Sequence, residues 1–187
     1  MRLESFTRWK VASSLDRNPN VRNPTLAILT AAVFASPALA PGPLHAAGAD
    51  PDRAAPAFAV RGLDGRPFRL ADHRGQPIVL DFWATWCGPC RAEMPHLDAL
   101  QKRYAREGLV ILGLSVDERA VLDVRRFADS LGVAFRMAMA DEKLLDRYGP
   151  IRQIPTTFFI NRRGEIVRRT VGYLDAQTLE SYVKELF

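Results

Sequence analysis

Two stretches of nearly continuous apolar residues stand out along the chain, PIVLDFWA at residues 77–84 and LVILGLSV at residues 109–116. Both contain several β-branched or aromatic residues, which is typical of strands that are buried on both faces of a sheet. TTFFI at residues 156–160 predicts a further strand. Two more strands are predicted near residues 134–139 and 165–171.

Apolar residues at helical spacing lie between these strands. A helix is predicted from Pro89 to Glu107, because a proline stands in its first turn and Gly108 follows its end. A second helix is predicted over residues 118–131, with apolar groups at Val121, Val124, Ala128 and Leu131. A short helix after Asp141 and a last helix capped by Asp175 complete the set.

A β-hairpin is predicted ahead of the first long strand. Asp64-Gly65 lies between apolar residues on either side, which is a strong local indication of a hairpin turn. Strands that alternate with helices, followed by a second hairpin and a closing helix, predict an α/β fold. We therefore expect a mixed central sheet with helices on both faces and an N-terminal β-hairpin.

The distribution of charge argues against a nucleic-acid partner. The 187 residues include 26 Lys and Arg and 21 Asp and Glu, for a formal net charge of +5. The first 40 residues hold five of the basic residues and two of the acidic ones, which leaves 21 against 19 in the rest of the chain. Because a nucleic-acid binder needs a clustered basic face, we expect no nucleic-acid binding.

The N-terminal part of the chain predicts export. A polar, basic stretch precedes TLAILTAAVFASPALA at residues 25–40, which ends in small residues. These features indicate that residues 1–40 form a signal peptide or an N-terminal membrane anchor. Residues 41–55 predict a flexible linker, and the folded domain is expected at 56–187. We expect a periplasmic or otherwise extracytoplasmic protein, soluble after cleavage or anchored by residues 25–40.

Both cysteines of the chain, Cys87 and Cys90, lie in the segment FWATWCGPCRAEMP at residues 82–95. A structural disulfide between them would close a loop too short to add much stability. A structural zinc site needs about four ligands, and the three histidines form no second ligand pair, so no metal is predicted. Haem attachment requires His directly after the second cysteine, where this chain has Arg91. The pattern favours reversible thiol–disulfide exchange.

The predicted position of the pair at the start of a helix gives each cysteine a role. Unpaired backbone N–H groups and the helix dipole favour a thiolate at Cys87, the predicted nucleophile. Cys90 lies three residues later and is predicted to resolve the mixed disulfide. Gly88 and Pro89 fix the turn between them, and Trp86 offers a flat apolar surface. These last three residues are candidate substrate contacts.

Two carboxyl groups are candidates for handling the proton of Cys90. Strand alternation places Asp81 on an apolar face, where burial raises the pKa of a carboxyl group and suits it to proton exchange with a thiol. Glu93 lies one turn beyond Cys90. It is either a second acid near the thiol or an exposed residue that stabilises the helix dipole. His73 and His96 are expected on the surface.

The segment FWATWCGPCRAEMP resembles the active site of thioredoxin-fold proteins, particularly the exported TlpA/ResA-like thiol:disulfide oxidoreductases. The likeness covers about 56–187 and includes VDE at 116–118 and YGPIRQIPTTFFINRRGEIV at 148–167. It implies a thioredoxin-like three-layer α/β/α sandwich and a cis-proline beside the cysteines, at Ile154-Pro155-Thr156. The backbone there would pair with an extended substrate segment. One departure is Asp81, since many TlpA/ResA-like proteins carry Asn at that position.

The resemblance also implies a direction of electron flow. CGPC is similar to the reducing members of the superfamily more than to the CPHC oxidants. It implies an exported reductase for envelope proteins, such as apocytochrome c in cytochrome c biogenesis or metal-site assembly factors. A membrane thiol donor of the DsbD/CcdA type would re-reduce it, with no cofactor besides the Cys87/Cys90 disulfide. Three alternatives stay open: a disulfide oxidase or isomerase, a peroxide-reducing thiol enzyme, and a redox-silent binding module such as a metal chaperone.

Overall fold

A computed structural model of the chain describes residues 53–187. The signal peptide or anchor predicted at 1–40, and all but the end of the linker predicted at 41–55, lie outside the described residues. No helix in the described part of the chain is long and apolar enough to cross a membrane.

Seven strands and four α-helices make up the described chain. Their bounds are β1 (Ala59–Arg61), β2 (Pro67–Arg69), β3 (Ile78–Trp83), α1 (Gly88–Arg103), β4 (Val110–Ser115), α2 (Val121–Ser130), β5 (Arg136–Met139), α3 (Glu142–Arg147), β6 (Thr156–Ile160), β7 (Ile166–Val171) and α4 (Ala176–Lys184). Short 3-10 helices follow β2, at Leu70–His73, and α1, at Ala105–Glu107.

The main sheet has five strands in the order β5-β4-β3-β6-β7. β3 is parallel to β4, and β4 is parallel to β5, whereas β6 is antiparallel to both of its neighbours. β1 and β2 form a separate antiparallel hairpin, which turns at Gly65 with φ of 82°. This mixed sheet with an N-terminal hairpin confirms the predicted fold class.

Apolar side chains divide between the two faces of the sheet. Alternation along β3 sends Val79 and Trp83 to one face, where they join apolar residues of α1, α2 and α4. Leu80 and Phe82 point to the other face, which is covered by α3 and the β1–β2 hairpin. All six residues of β3 are buried, because β3 is the central strand and both of its faces are covered. The three-layer arrangement therefore follows from the apolar run that marks β3 in the sequence.

The start of the second helix differs from the prediction. α2 begins at Val121 rather than at residue 118, and Ala120 precedes it without a capping side chain. Val121 was predicted on the buried face but is 56% exposed, while Val124 is fully buried. The side chain of Asp117, just upstream, makes its hydrogen bonds with Thr85 and Ser115 and none with α2.

Candidate active site

The two cysteines lie where the chain passes from the central strand into α1. A turn closed by a hydrogen bond from the Cys87 N–H to the Ala84 carbonyl (3.1 Å) follows β3, and α1 begins at Gly88. Cys87 is the N-cap of α1, with Pro89 in the first turn. The N–H of Cys90 donates to Cys87 Sγ at 3.2 Å, and a disulfide joins the two residues. The sulfur of Cys87 thus sits at the end of the helix where unpaired N–H groups stabilise negative charge.

The two cysteine residues differ in their exposure to solvent. Cys87 retains 4% of its surface, and Cys90 retains none. In this disulfide form, only Cys87 offers any surface to an incoming thiol. The roles of Cys87 as the attacking residue and Cys90 as the resolving one stay predictions.

Two buried carboxyl groups lie on the Cys90 side of the sheet. Asp81, at the centre of β3, is fully buried, and its Oδ1 accepts a hydrogen bond from Thr157 Oγ1 at 3.4 Å. Glu93 is also fully buried, and its Oε2 accepts from the N–H of Leu174 at 2.9 Å. The second oxygen of each group, Asp81 Oδ2 and Glu93 Oε1, is buried without a hydrogen-bond partner among the described residues. The structure therefore rejects the alternative that Glu93 is an exposed first-turn residue.

Burial raises the pKa of both carboxyl groups, so each keeps its proton to higher pH than an exposed acid. Burial, followed by the nearby charge of Glu93, raises the pKa of Asp81 well above its usual value of 3.8. Burial raises the pKa of Glu93 from 4.5 to about 7, although the hydrogen bond from Leu174 opposes part of that change. A group that titrates near neutral pH is suited to accept and return a proton. An ionised Glu93 therefore makes ionisation of Asp81 less favourable.

A surface groove lies next to the cysteine turn. Its volume is about 410 Å³, and it is lined by Trp86, Arg152, Gln153, Ile154, Val171 and Gly172. Trp86 is 65% exposed. Gly88 and Pro89 are exposed as well, on the first turn of α1.

The loop before β6 supplies one wall of this groove. The Ile154–Pro155 peptide bond is cis, as the resemblance implied. The Pro155 carbonyl accepts a hydrogen bond from Gly172 N–H at 2.8 Å, whereas among the described residues the backbone of Ile154 makes no hydrogen bond. Thr156 is 1% exposed, and its hydroxyl donates to the Gln153 carbonyl at 2.6 Å. The buried Thr156 side chain thus supports the loop, and Ile154 lines the groove.

Neither histidine of the described chain joins the cysteines. His73 stacks on Phe68 and is 2.7 Å from Gln76, in the segment that follows the hairpin. His96 is 3.3 Å from the hydroxyl of Tyr173 on the outside of α1. Within residues 53–187, no group of three or more His, Cys, Asp and Glu side chains could hold a metal ion.

Sequence reasoning missed three groups that support the site. Leu174 and Thr157 are the hydrogen-bond partners of the two buried acids, and neither residue type is distinctive. Asp117 reaches the cysteine turn through Thr85. The VDE segment at 116–118 was the single indication of Asp117 in the sequence, and it came from resemblance alone.

Comparison with known proteins places the chain in a family. The model of the AhpC/TSA family matches residues 51–169. The chain belongs to this family. Over 133 residues it is 35% identical to the thiol-disulfide oxidoreductase ResA of Bacillus anthracis, a match that covers 71% of this chain and 76% of the relative.

Solved structures of similar proteins have the same fold. A thiol:disulfide interchange protein of the thioredoxin family from Chlorobium tepidum is 30% identical, with a TM-score of 0.68 over 74% of this chain and 99% of that chain. The exposed lipoprotein thioredoxin Etrx1 of Streptococcus pneumoniae is 29% identical, with a TM-score of 0.63 over 70% and 100% of the two chains. The present AhpC/TSA family member is therefore a thiol-disulfide oxidoreductase of the ResA type, with a thioredoxin-like fold.

Proposed function

We propose that the protein is an exported reductase that transfers two electrons from its Cys87–Cys90 dithiol to disulfides of other envelope proteins. The observation that carries the proposal is the placement of this pair: Cys87 is the N-cap of α1 and retains a small exposed area, and Cys90 is fully buried in the same apolar cluster. The CGPC sequence, which resembles that of reducing thioredoxins, supports the direction of transfer.

The exchange proceeds in two steps that balance in electrons and protons. The Cys87 thiolate attacks one sulfur of the substrate disulfide, so a mixed disulfide forms and one substrate thiolate leaves. The Cys90 thiol then loses its proton and attacks Cys87 Sγ, which releases the second substrate thiolate. The substrate gains two electrons, and the protein ends with the Cys87–Cys90 disulfide that the structure contains.

The proton of Cys90 goes, in this proposal, to the pair formed by Asp81 and Glu93. Each has one buried oxygen without a hydrogen-bond partner in the described chain, and that oxygen can accept a proton when its carboxyl group is ionised. Because an ionised Glu93 raises the pKa of Asp81, the pair does not readily hold two charges. One member accepts the proton while the other stays neutral; Asn in place of Asp81 could serve only as the neutral member.

The substrate is an extended protein segment that lies in the groove beside Trp86. The backbone N–H and carbonyl of Ile154 are available to pair with it, as an added strand pairs with a sheet edge. Gly88 and Pro89 leave the approach to Cys87 open, because both are exposed and small. Candidate substrates are apocytochrome c and metal-site assembly factors, with a membrane thiol donor of the DsbD/CcdA type as the source of electrons.

The redox potential tests the direction of transfer. We expect equilibration with glutathione, followed by separation of oxidised and reduced protein, to give a potential below about −180 mV, nearer to thioredoxin than to the strong oxidants. A value well above that figure would support the oxidase or isomerase alternative.

Export is tested separately: the N-terminus of the protein recovered from the periplasm should lie beyond residue 40 if the signal peptide is cleaved.

A further inference from the structure

The VDE segment at 116–118 contains a buried acid to which the exchange reaction gives no role. Asp117 lies in the loop between β4 and α2 and is 7% exposed. Its carboxylate accepts three hydrogen bonds. Oδ2 accepts from Thr85 N–H and from Ser115 Oγ, both at 2.8 Å, and Oδ1 accepts from Thr85 Oγ1 at 2.7 Å.

These bonds tie the cysteine turn to the neighbouring strand. Thr85 is the second residue of the turn that runs from Ala84 to Cys87, two positions before the N-cap of α1. Ser115 is the last residue of β4, and its hydroxyl also accepts from the N–H of Asp117 at 3.2 Å. Asp117 therefore joins the end of β4 to Thr85, which lies 32 residues before Asp117 in sequence.

An ordinary role in helix capping does not account for Asp117. α2 begins after Ala120, which has no capping side chain, and none of the hydrogen bonds to the Asp117 carboxylate comes from α2. Burial of a carboxylate is costly unless hydrogen bonds compensate for the lost hydration, and hydrogen bonds to a charged acceptor are stronger than neutral ones. The hydrogen bonds of this cluster stabilise the position of Thr85 and therefore the turn that ends in Cys87.

We propose that Asp117 is a positioning residue that fixes the Ala84–Cys87 turn, so that the Cys87 sulfur stays aligned with the N–H groups at the start of α1. The inference rests on the proposed role of Cys87 as the attacking thiol. A looser turn would let Cys87 Sγ move away from these N–H groups, which include that of Cys90. The thiolate would then be less stable and the exchange slower.

A positioning role and a purely electrostatic role of Asp117 predict opposite changes in the acidity of the Cys87 thiol when Asp117 is replaced. Loss of the negative charge by itself would stabilise a thiolate nearby and make the Cys87 thiol more acidic. Loss of positioning makes it less acidic. The sign of the change therefore distinguishes a positioning role from a purely electrostatic one.

The test compares variants of the reduced full-length protein by the pH dependence of Cys87 alkylation with iodoacetamide. Asp117→Asn keeps the shape of the side chain but places an amide donor against the donors of Thr85 and Ser115. Thr85→Val removes one donor and keeps the backbone bond, and Thr85→Ser retains the hydroxyl. Asp98→Asn is the matched control, because Asp98 is 9% exposed and accepts bonds from Ala134 N–H and Lys102 but has no contact with the turn.

We expect alkylation of Cys87 at pH 6 to slow by roughly threefold to tenfold in Asp117→Asn and by a smaller factor in Thr85→Val, with Thr85→Ser close to wild type. Asp98→Asn should alkylate at the wild-type rate even where urea unfolding shows a comparable loss of stability. Equal rates in Asp117→Asn and Asp98→Asn, or faster alkylation in Asp117→Asn, would overturn the positioning role. If Cys87 of the wild type is itself no more acidic than free cysteine, the proposed function fails, a result distinct from failure of this inference.

Discussion

Replacement of Glu93 by Gln is expected to change how stability depends on pH. Gln has nearly the same shape, and its side-chain oxygen can still accept the hydrogen bond from Leu174 N–H. It cannot ionise. Any difference in pH dependence between the variant and the wild type therefore reports the titration of the buried carboxyl group.

The sign and size of the effect follow from the raised pKa of Glu93. In the unfolded chain Glu93 loses its proton near pH 4.5, whereas in the folded protein it does so at about pH 7. Between these values the folded state holds a proton that the unfolded state has lost, so the free energy of unfolding falls as pH rises. The contribution is complete below pH 4.5 and is lost by about pH 8. One pKa unit corresponds to about 1.36 kcal/mol, so the total loss is about 3 kcal/mol.

Urea unfolding of the oxidised protein at several pH values measures this difference. We expect the wild type to lose about 1.4 kcal/mol per pH unit more than Glu93→Gln between pH 5 and 6.5. The exposed Glu107, whose side chain makes no hydrogen bond within the described residues, supplies the control variant Glu107→Gln, which should follow the wild type. Parallel curves for Glu93→Gln and wild type in that window would refute the claim that Glu93 is buried with a raised pKa.

Three further changes test other parts of the account. Asp81→Asn removes one member of the carboxyl pair, so resolution of the mixed disulfide should slow by about 100-fold in quenched-flow experiments; an unchanged rate would leave Glu93 as the acceptor. Trp86→Ala should raise KM for a protein substrate by roughly tenfold with little change in kcat or stability, and a large loss of stability would instead indicate a core role. Gly113→Ala places a Cβ 3.1 Å from Trp83 Nε1 and should lower the free energy of unfolding by about 1–3 kcal/mol in urea; no loss would show that the neighbouring side chains yield easily.

Features that depend on neighbours in sequence were predictable. Alternation along 77–84 placed Asp81 on the face of Val79 and Trp83, and the structure buries it there. The turn at Asp64-Gly65 and the helix cap at Asp175 also follow from local chemistry, since each is satisfied by groups within a few residues. Local patterns therefore fixed the strands, the hairpin and the helix that begins at the cysteines.

Features that depend on distant contacts were not predictable in the same way. The burial of Glu93 is stabilised by Leu174, 81 residues away, and no local spacing indicates that contact. The start of α2 at Val121 lies three residues after the predicted start, and the nearby Asp117 is bound to Thr85 rather than to the helix. In both cases the hydrogen-bond partner of a polar side chain is distant in sequence, and only the tertiary fold brings the two residues together.

Trapping of the mixed disulfide tests the central claim most directly. A reduced Cys90→Ser variant, mixed with a disulfide-bonded protein substrate, should form a stable covalent complex through Cys87, identified by mass spectrometry of the linked peptides. The matched Cys87→Ser variant should form little or none, because Cys90 is fully buried. Equal trapping by both variants, or by neither, would contradict the assignment of Cys87 as the attacking thiol and Cys90 as the resolving one.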